Sequence, residues 1–419
     1  MNSEKKHKKK SKMERGLTNR HVQVMAIAGT IGTGLFLGAG RSISLTGPSI
    51  VLVYMITGGF MYLMMRAIGE MLYQDPEQHT FINFITRYLG KGWGYFSVWS
   101  YWLSVVFIGM AEITAIAHYV QFWFPSWPSW LIQVVFLTIL GLVNLIAVKI
   151  FGEVEFWFAM IKIVAILAMI ATGIFMVLTG FETPYGSASL TNISEQFSLF
   201  PNGGMNFVMA FQMVFFAYLM IEFIGVTTSE TKDPRKVLPK AVKEIPLRII
   251  FFYGGALLAI MSIIPWRELS ATDSPFVTVF ELVGLKWAAA LINFVVLTSA
   301  ASALNSTLYS TGRHLYQIAH DSPNRFLKAI KADTLSRHNV PQNAIIASAA
   351  LIGLAAFINV LPGVSDAFAL ITASSSGVYI AIYILIMVAH LKYRKSKDFM
   401  ADGYLMPQYR LLNPLTMLF

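Results

Sequence analysis

Cysteine is absent from the 419 residues, and charge is scarce, with 13% Asp, Glu, Lys and Arg together. The first absence excludes disulfides, thiolate nucleophiles and Cys-ligated metals. The second excludes a soluble globule, which carries about 25% charged residues. Acidic residues are the scarcer sign, 22 against 32 Lys and Arg, a formal net charge of +10. Such a balance suits nucleic acid only when it is gathered into a basic domain, and here it is dispersed between apolar runs. No signal-peptide pattern follows the N-terminal Lys-rich run, because no cleavage site follows an apolar region. What is abundant is apolar surface, 56% of residues, with a mean hydropathy of +0.59.

That surface is arranged in long stretches free of Asp, Glu, Lys and Arg, among them Ser44–Met65, Gly92–Ala111, Ile113–Val148, Gln196–Ile221, Trp287–Gly312 and Ala367–Leu391. A membrane-spanning helix needs about 20 mostly apolar residues. Ile113–Val148 is too long for one, and its middle, Phe122–Pro128, is a Pro-containing turn wrapped in interfacial aromatics. The chain therefore predicts an all-α polytopic membrane protein with ten helices, near 22–43, 48–73, 96–123, 129–148, 155–179, 205–228, 247–265, 287–311, 342–360 and 366–391. With the N-terminus in the cytoplasm, 27 of the 32 Lys and Arg fall on the inner side, Arg41, Arg267 and Lys286 fall outside, and Arg66 and Lys162 fall within spans. One missed or invented helix would spoil this positive-inside bias. The expected organisation is a basic cytoplasmic tail over 1–21, a core over 22–391 and a cytoplasmic loop with the start of an eleventh helix over 392–419. Leu411–Phe419 reads as a helix cut off, since nine residues cover only about 14 Å of a 30 Å hydrocarbon layer.

Five clues stand out within the spans. The segment Ala28–Phe36 holds Gly29, Gly32 and Gly34 interleaved with Thr30 and Thr33. Gly at this density weakens a helix by about 1 kcal/mol per residue, and irregular backbone persists in a bilayer only beside protein or a wet cavity. Two readings stay open: a broken helix whose bare N–H groups hold a carboxylate, or close helix packing through Gly34 and Gly38. Lys162 lies deep in the fifth span, where a cation costs about 2.5–3.5 kcal/mol, and such a residue usually faces a cavity. Glu112 and Glu222 are the acidic residues embedded in the third and sixth. Arg66 and Glu70 have i, i+4 spacing and predict an ion pair. Ser299, Ser302 and Ser306 share one helix face. The histidines form no cluster for a metal, no cofactor motif is present, and no ATP-binding domain is present to drive a pump.

The segment Gly29–Phe36 resembles the helix-1 motif of amino acid permeases in the amino acid–polyamine–organocation superfamily. Four further segments agree with it: Gly69-Glu70-Met71, Phe151–Ala159, Glu230-Thr231-Lys232-Asp233-Pro234 and Asn293–Ser302. Gly109-Met110-Ala111-Glu112 and the Asn293–Ser302 run look most like the branch that carries D-serine, D-alanine and glycine. The resemblance implies a leucine-transporter-like fold, an inverted repeat of helices 1–5 (about 22–179) and 6–10 (about 205–391), with helices 1 and 6 broken and two further helices beyond. It puts a substrate carboxylate on Ile31, Thr33 and Gly34. It puts the substrate amine on carbonyls around Phe216, Ala217 and Leu219. Many relatives have Gly where Met220 stands. In proton-coupled relatives a helix-5 Lys takes the place of a sodium ion, which makes Lys162 and Glu222 candidates for proton coupling and Glu112 a pocket-lining residue.

The implied function is secondary import of small neutral amino acids (alanine, serine, glycine, D-isomers included) by proton symport. It is not an enzyme. The partners implied are the amino acid, the proton and the lipid bilayer of the plasma membrane, with no nucleic acid and no cofactor. An exchanger, a sodium-coupled symporter of the same fold, or a non-transporting sensor are the alternatives.

Overall fold

The computed structural model describes residues 31–76, 78, 80–146, 151–222, 233–282, 284, 286–321, 325–336, 340–358, 360 and 366–419, without the side chains of 146, 151–156, 245 and 286. Gly29, Thr30, the basic tail and Glu230-Thr231-Lys232 lie outside the described residues.

The described chain is helical almost throughout. In order it comprises α1 (Thr33–Phe36), α2 (Gly38–Thr46), α3 (Ile50–Gln74), α4 (Ile82–Leu89), α5 (Lys91–Gln121), α6 (Ser129–Ile146) and α7 (Phe151–Thr179). A two-stranded antiparallel hairpin, β1 (Glu182–Thr183) and β2 (Gly186–Ser187), leads to α8 (Thr191–Ser194) and α9 (Gly204–Ala217). Then come α10 (Pro234–Ile263), α11 (Pro275–Leu282), α12 (Lys286–Asp321), α13 (Arg325–Ala329), α14 (Gln342–Gly353), α15 (Ala355–Ile358), α16 (Ala367–Tyr393) and α17 (Tyr409–Leu418). Among the described residues six stretches are long and apolar enough to cross a membrane: Gly38–Gln74, Lys91–Gln121, Trp157–Thr179, Pro234–Ile263, Trp287–Asp321 and Ala367–Tyr393.

Helix α5 is the central post, packed against α12 and α16. Its window is the most enclosed of the six, 78% buried, which is why it can hold Glu112 away from both water and lipid. Helices α1 and α2 pack on α9, and α3 packs on α10. Gly34 and Gly38 make that approach possible. A Cβ on Gly34 would lie 2.8 Å from the Ala217 Cα, and one on Gly38 would lie 2.8 Å from the Met213 Sδ. Both glycines thus sit in close contact with α9. Large side chains on the outer faces, such as Leu178, Phe251 and Trp287, are exposed, as suits a protein whose solvent there is hydrocarbon.

Several boundaries differ from the charge-free stretches. Helix α10 begins at Pro234, not near 247, with Asp233 as N-cap and Pro239 and Pro246 inside. Helix α12 runs on to Asp321. In both, charged residues project from a continuous helix beyond its apolar part, and counting charges sees only the membrane depth. The predicted sixth span, 205–228, leaves helical form early: α9 ends at Ala217, turns follow to Glu222, and 223–232 are not described. The predicted ninth span is interrupted at Leu354.

The Arg66–Glu70 pair is corrected by the structure. Glu70 instead receives Arg394, whose Nε lies 2.5 Å from Oε1, and His390, whose Nε2 lies 3.2 Å from Oε2. The Met406 N–H also donates to Oε2 at 2.6 Å. Arg66 turns the other way, donating to the Leu405 carbonyl and lying over the Tyr404 ring at 4.0 Å. Spacing of i, i+4 is worth only about 0.2–0.5 kcal/mol on a helix, too little to hold a pair when a guanidinium from another segment reaches the same buried carboxylate.

Candidate functional site

The region around Gly32 gathers the first group. Gly32 is extended (φ −135°, ψ −157°) and Thr33 opens a helical turn with no side-chain cap. The first ladder bonds run from Leu35 and Phe36 N–H to the Gly32 carbonyl, at 3.2 and 3.3 Å. The Thr33 and Gly34 N–H groups therefore precede the ladder and project from its start, where the helix dipole is positive.

Glu112, two-thirds of the way along α5, brings its carboxylate to this turn. Thr33 Oγ1 donates to Glu112 Oε1 at 3.1 Å, and the Thr33 backbone N–H faces the same carboxylate. Lys162, on α7 and 1% exposed, lies within electrostatic reach of Glu112. Ile31 and Thr33, each 1% exposed, close the same region. The turn and the acid, 79 residues apart, are thus in contact, and the base, 50 residues beyond the acid, lies within its electrostatic reach.

Phe216, Ala217 and Leu219 are buried at the end of α9, with Ala217 backed on Gly34. Their carbonyls are partly engaged. Tyr253 Oη donates to the Ala217 carbonyl at 3.1 Å, and the Leu219 N–H donates to that of Phe216 at 3.1 Å. A carbonyl keeps a second lone pair for a further donor. Met220 takes φ +69°, the left-handed conformation that costs an L-residue roughly 1–2 kcal/mol and that Gly adopts freely. The turn takes a backbone conformation suited to glycine although the residue is Met. Tyr379 Oη rests 3.4 Å from the Met220 sulfur.

Glu222 is not part of the Thr33 group. It is 1% exposed and accepts from Tyr101 Oη at 3.2 Å and Tyr383 Oη at 2.6 Å. Tyr101 and Glu112 share α5 eleven residues apart, so the two acidic sites are about 16 Å apart along the helix. His314 lies inside α12 with its ring 5.0 Å from that of Tyr101. Sequence reasoning missed Tyr101, Tyr379 and Tyr383. Tyr379 and Tyr383 have i, i+4 spacing in a charge-free helix, the one signal that might have marked them. His118, near the end of α5, faces Asp273 at 3.6 Å. Ser299 is buried, and its hydroxyl has no partner among the described residues.

A separate apolar cavity of about 560 Å³ opens between α3, α9, α16 and α17, lined by Phe60, Phe211, Ile380 and Phe419 among others. None of the nine residues expected to bind substrate or couple protons lines it. Among the described residues no group of His, Cys, Asp and Glu is placed to hold a metal ion.

The sequence model of the amino acid permease family matches residues 21–406. The chain belongs to that family. This permease is 52% identical over 406 residues to the DL-alanine permease SerP2 of Lactococcus lactis subsp. cremoris, covering 97% of this chain and 88% of that protein. It is 49% identical over 414 residues to the serine permease SerP1 of the same organism, covering 97% and 90%. Against the D-serine/D-alanine/glycine transporter of Escherichia coli K12 the identity is 44% over 406 residues, covering 96% and 85%. The permease is a multi-pass membrane protein, and amino acid transport is its activity.

Proposed function

We propose that this permease imports small neutral amino acids, alanine, serine and glycine in either chirality where one exists, across the plasma membrane by proton symport. The observation that carries the reading is the meeting of the Thr33–Gly34 turn with Glu112 and Lys162. A zwitterion needs an anion site and a cation site side by side. The Thr33 and Gly34 N–H groups supply the first, and the carbonyls at the end of α9, which packs so closely that a Cβ on Gly34 would come within 2.8 Å of the Ala217 Cα, supply the second. Main-chain dipoles then bind both ends of the substrate, leaving selectivity to the side chains beside it. Phe216 and Met220 narrow that space and suit small substrates. The names of the three relatives support the same substrate class.

Reading α1 and α9 as the second half of helix 1 and the first half of helix 6 in the leucine-transporter-like inverted repeat accounts for two ends that stop against each other inside the bundle. The N-terminus is then cytoplasmic, and the core spans 22–391. Lys162 is the coupling residue: its charge sits where a sodium ion would, and changing its protonation alters what holds α7 to the turn. Glu222, in its cage of tyrosines, is the second proton site.

The test is uptake of labelled alanine into vesicles carrying the purified permease, with unlabelled L- and D-amino acids as competitors and an imposed pH gradient of either sign. Symport predicts accumulation only with the outside acidic and competition by serine and glycine. Accumulation that ignores the gradient but follows preloaded amino acid would make the protein an exchanger. Binding without uptake would make it a sensor.

A further inference from the structure

Glu112 sits where a substrate's carboxylate is expected. Its Oε1 accepts from the Thr33 hydroxyl at 3.1 Å, and the Thr33 N–H faces it. The same oxygen is 3.0 Å from the place a Cβ would occupy on Gly32. The side chain is 3% exposed, and Oε2 is buried without a hydrogen-bond partner among the described residues. A carboxylate that satisfies one oxygen at a bare helical turn and leaves the other unmet is held as an anion ligand is held, not as part of a closed structural network.

We propose that Glu112 is an internal stand-in for the substrate: without an amino acid its carboxylate occupies the main-chain cradle at Thr33–Gly34, and the incoming carboxylate must displace it. This rests on the reading of that cradle as the substrate's carboxylate site. Two anions cannot share a single helical turn, so the exchange is one for one. The displaced group swings toward Lys162, the cation within its electrostatic reach. Self-occupancy does two things. It keeps the N–H groups satisfied when the site is empty. It also sets a threshold that small anions lacking an amine do not pass, because only a zwitterion gains a second anchor at the end of α9.

Displacement lowers apparent affinity by the fraction of time the cradle is free. Glu112→Asp keeps the charge but falls one methylene short of Thr33, and Glu112→Ala vacates the cradle. Equilibrium binding of labelled alanine to the purified full chain, with acetate as competitor, reads the effect. In the wild type acetate does not displace alanine. In both variants acetate competes, and alanine binds about threefold to tenfold tighter. Unchanged or weaker alanine binding, with acetate inert in both variants, overturns the proposal while the substrate site stands. A wild type that binds no alanine overturns the site and the proposal together. If neither variant folds, the wild type with isotope-labelled glutamate decides: alanine must shift a glutamate carboxylate band in the infrared difference spectrum, and an unshifted spectrum overturns the displacement.

Discussion

Glu70 and Glu112 are both sealed from solvent, at 2% and 3% exposure, and they live in opposite surroundings. Glu70 is met by Arg394, His390 and the Met406 N–H: its Oε2 accepts two hydrogen bonds, and its Oε1 makes no hydrogen bond among the described residues but lies against the Arg394 cation. Glu112 has Thr33 on one oxygen and nothing on the other among the described residues. Burial alone does not separate a structural acid from a working one; the number of immovable partners does. A closed network stabilises one geometry, whereas a half-satisfied group has somewhere to go.

The largest test of this contrast is removal of Glu70. Glu70→Ala leaves the Arg394 guanidinium buried without its carboxylate and costs about 3–5 kcal/mol, read as a fall in the thermal unfolding midpoint in detergent. The double variant Glu70→Met/Arg394→Met recovers most of it, because packed apolar residues replace a buried pair at little cost. Glu112→Gln in the same assay moves stability by about 1 kcal/mol or less. Equal losses from the two sites would break the comparison.

Next comes Lys162→Ala, which reads function where Glu70 reads stability. Uptake driven by a pH gradient falls about a hundredfold, the scale of a lost proton-transfer group. Undiminished gradient-driven uptake by this variant removes Lys162 from the coupling mechanism.

Gly34→Ala follows, with a methyl forced to 2.8 Å from the Ala217 Cα. Overpacking of this kind costs about 1–3 kcal/mol, and alanine binding weakens with it because the turn and the α9 end are pushed apart. A companion Ala217→Gly restores part of both.

The smallest effect belongs to Arg41, whose guanidinium pairs with Asp366, both partly exposed at 31% and 27%. Arg41→Ala costs about 1 kcal/mol or less, and salt titration of the wild type weakens the pair. Asp366→Ala costs more than its partner, since Asp366 also caps α16 by accepting from the Ala369 N–H at 2.8 Å. A pair as costly to break as Glu70–Arg394 would show that partial exposure is a poor guide here.

Much of the architecture was legible in the sequence, because lipid punishes charge and long charge-free stretches can be counted. The starts of α6, α12 and α14 fall within a residue of those expected. What could not be counted was helix outside the lipid: Lys236 to Arg248 belong to α10 although their charge excludes them from a span. The short α4 and α11 were missed for the same reason. At the site, Thr33, Glu112 and Lys162 each drew notice singly, as an odd backbone or an ill-placed charge. Their meeting was not readable, since it depends on how α1, α5 and α7 cross. Glu222 was noticed as well, but its tyrosine partners were not, because tyrosines are ordinary in apolar helices until two point at one acid. Met220 shows the converse, a left-handed backbone at a residue type that does not signal it.

The partners of Glu70 also say something about the stretch after Tyr393. Arg394 and Met406 flank an irregular excursion and return to the same carboxylate, so this segment works as a clasp across the bundle's end. A protease nick between Lys397 and Gly403 would free the Met406 arm while sparing every helix, leaving His390 and Arg394 at the end of α16 to hold Glu70 of α3.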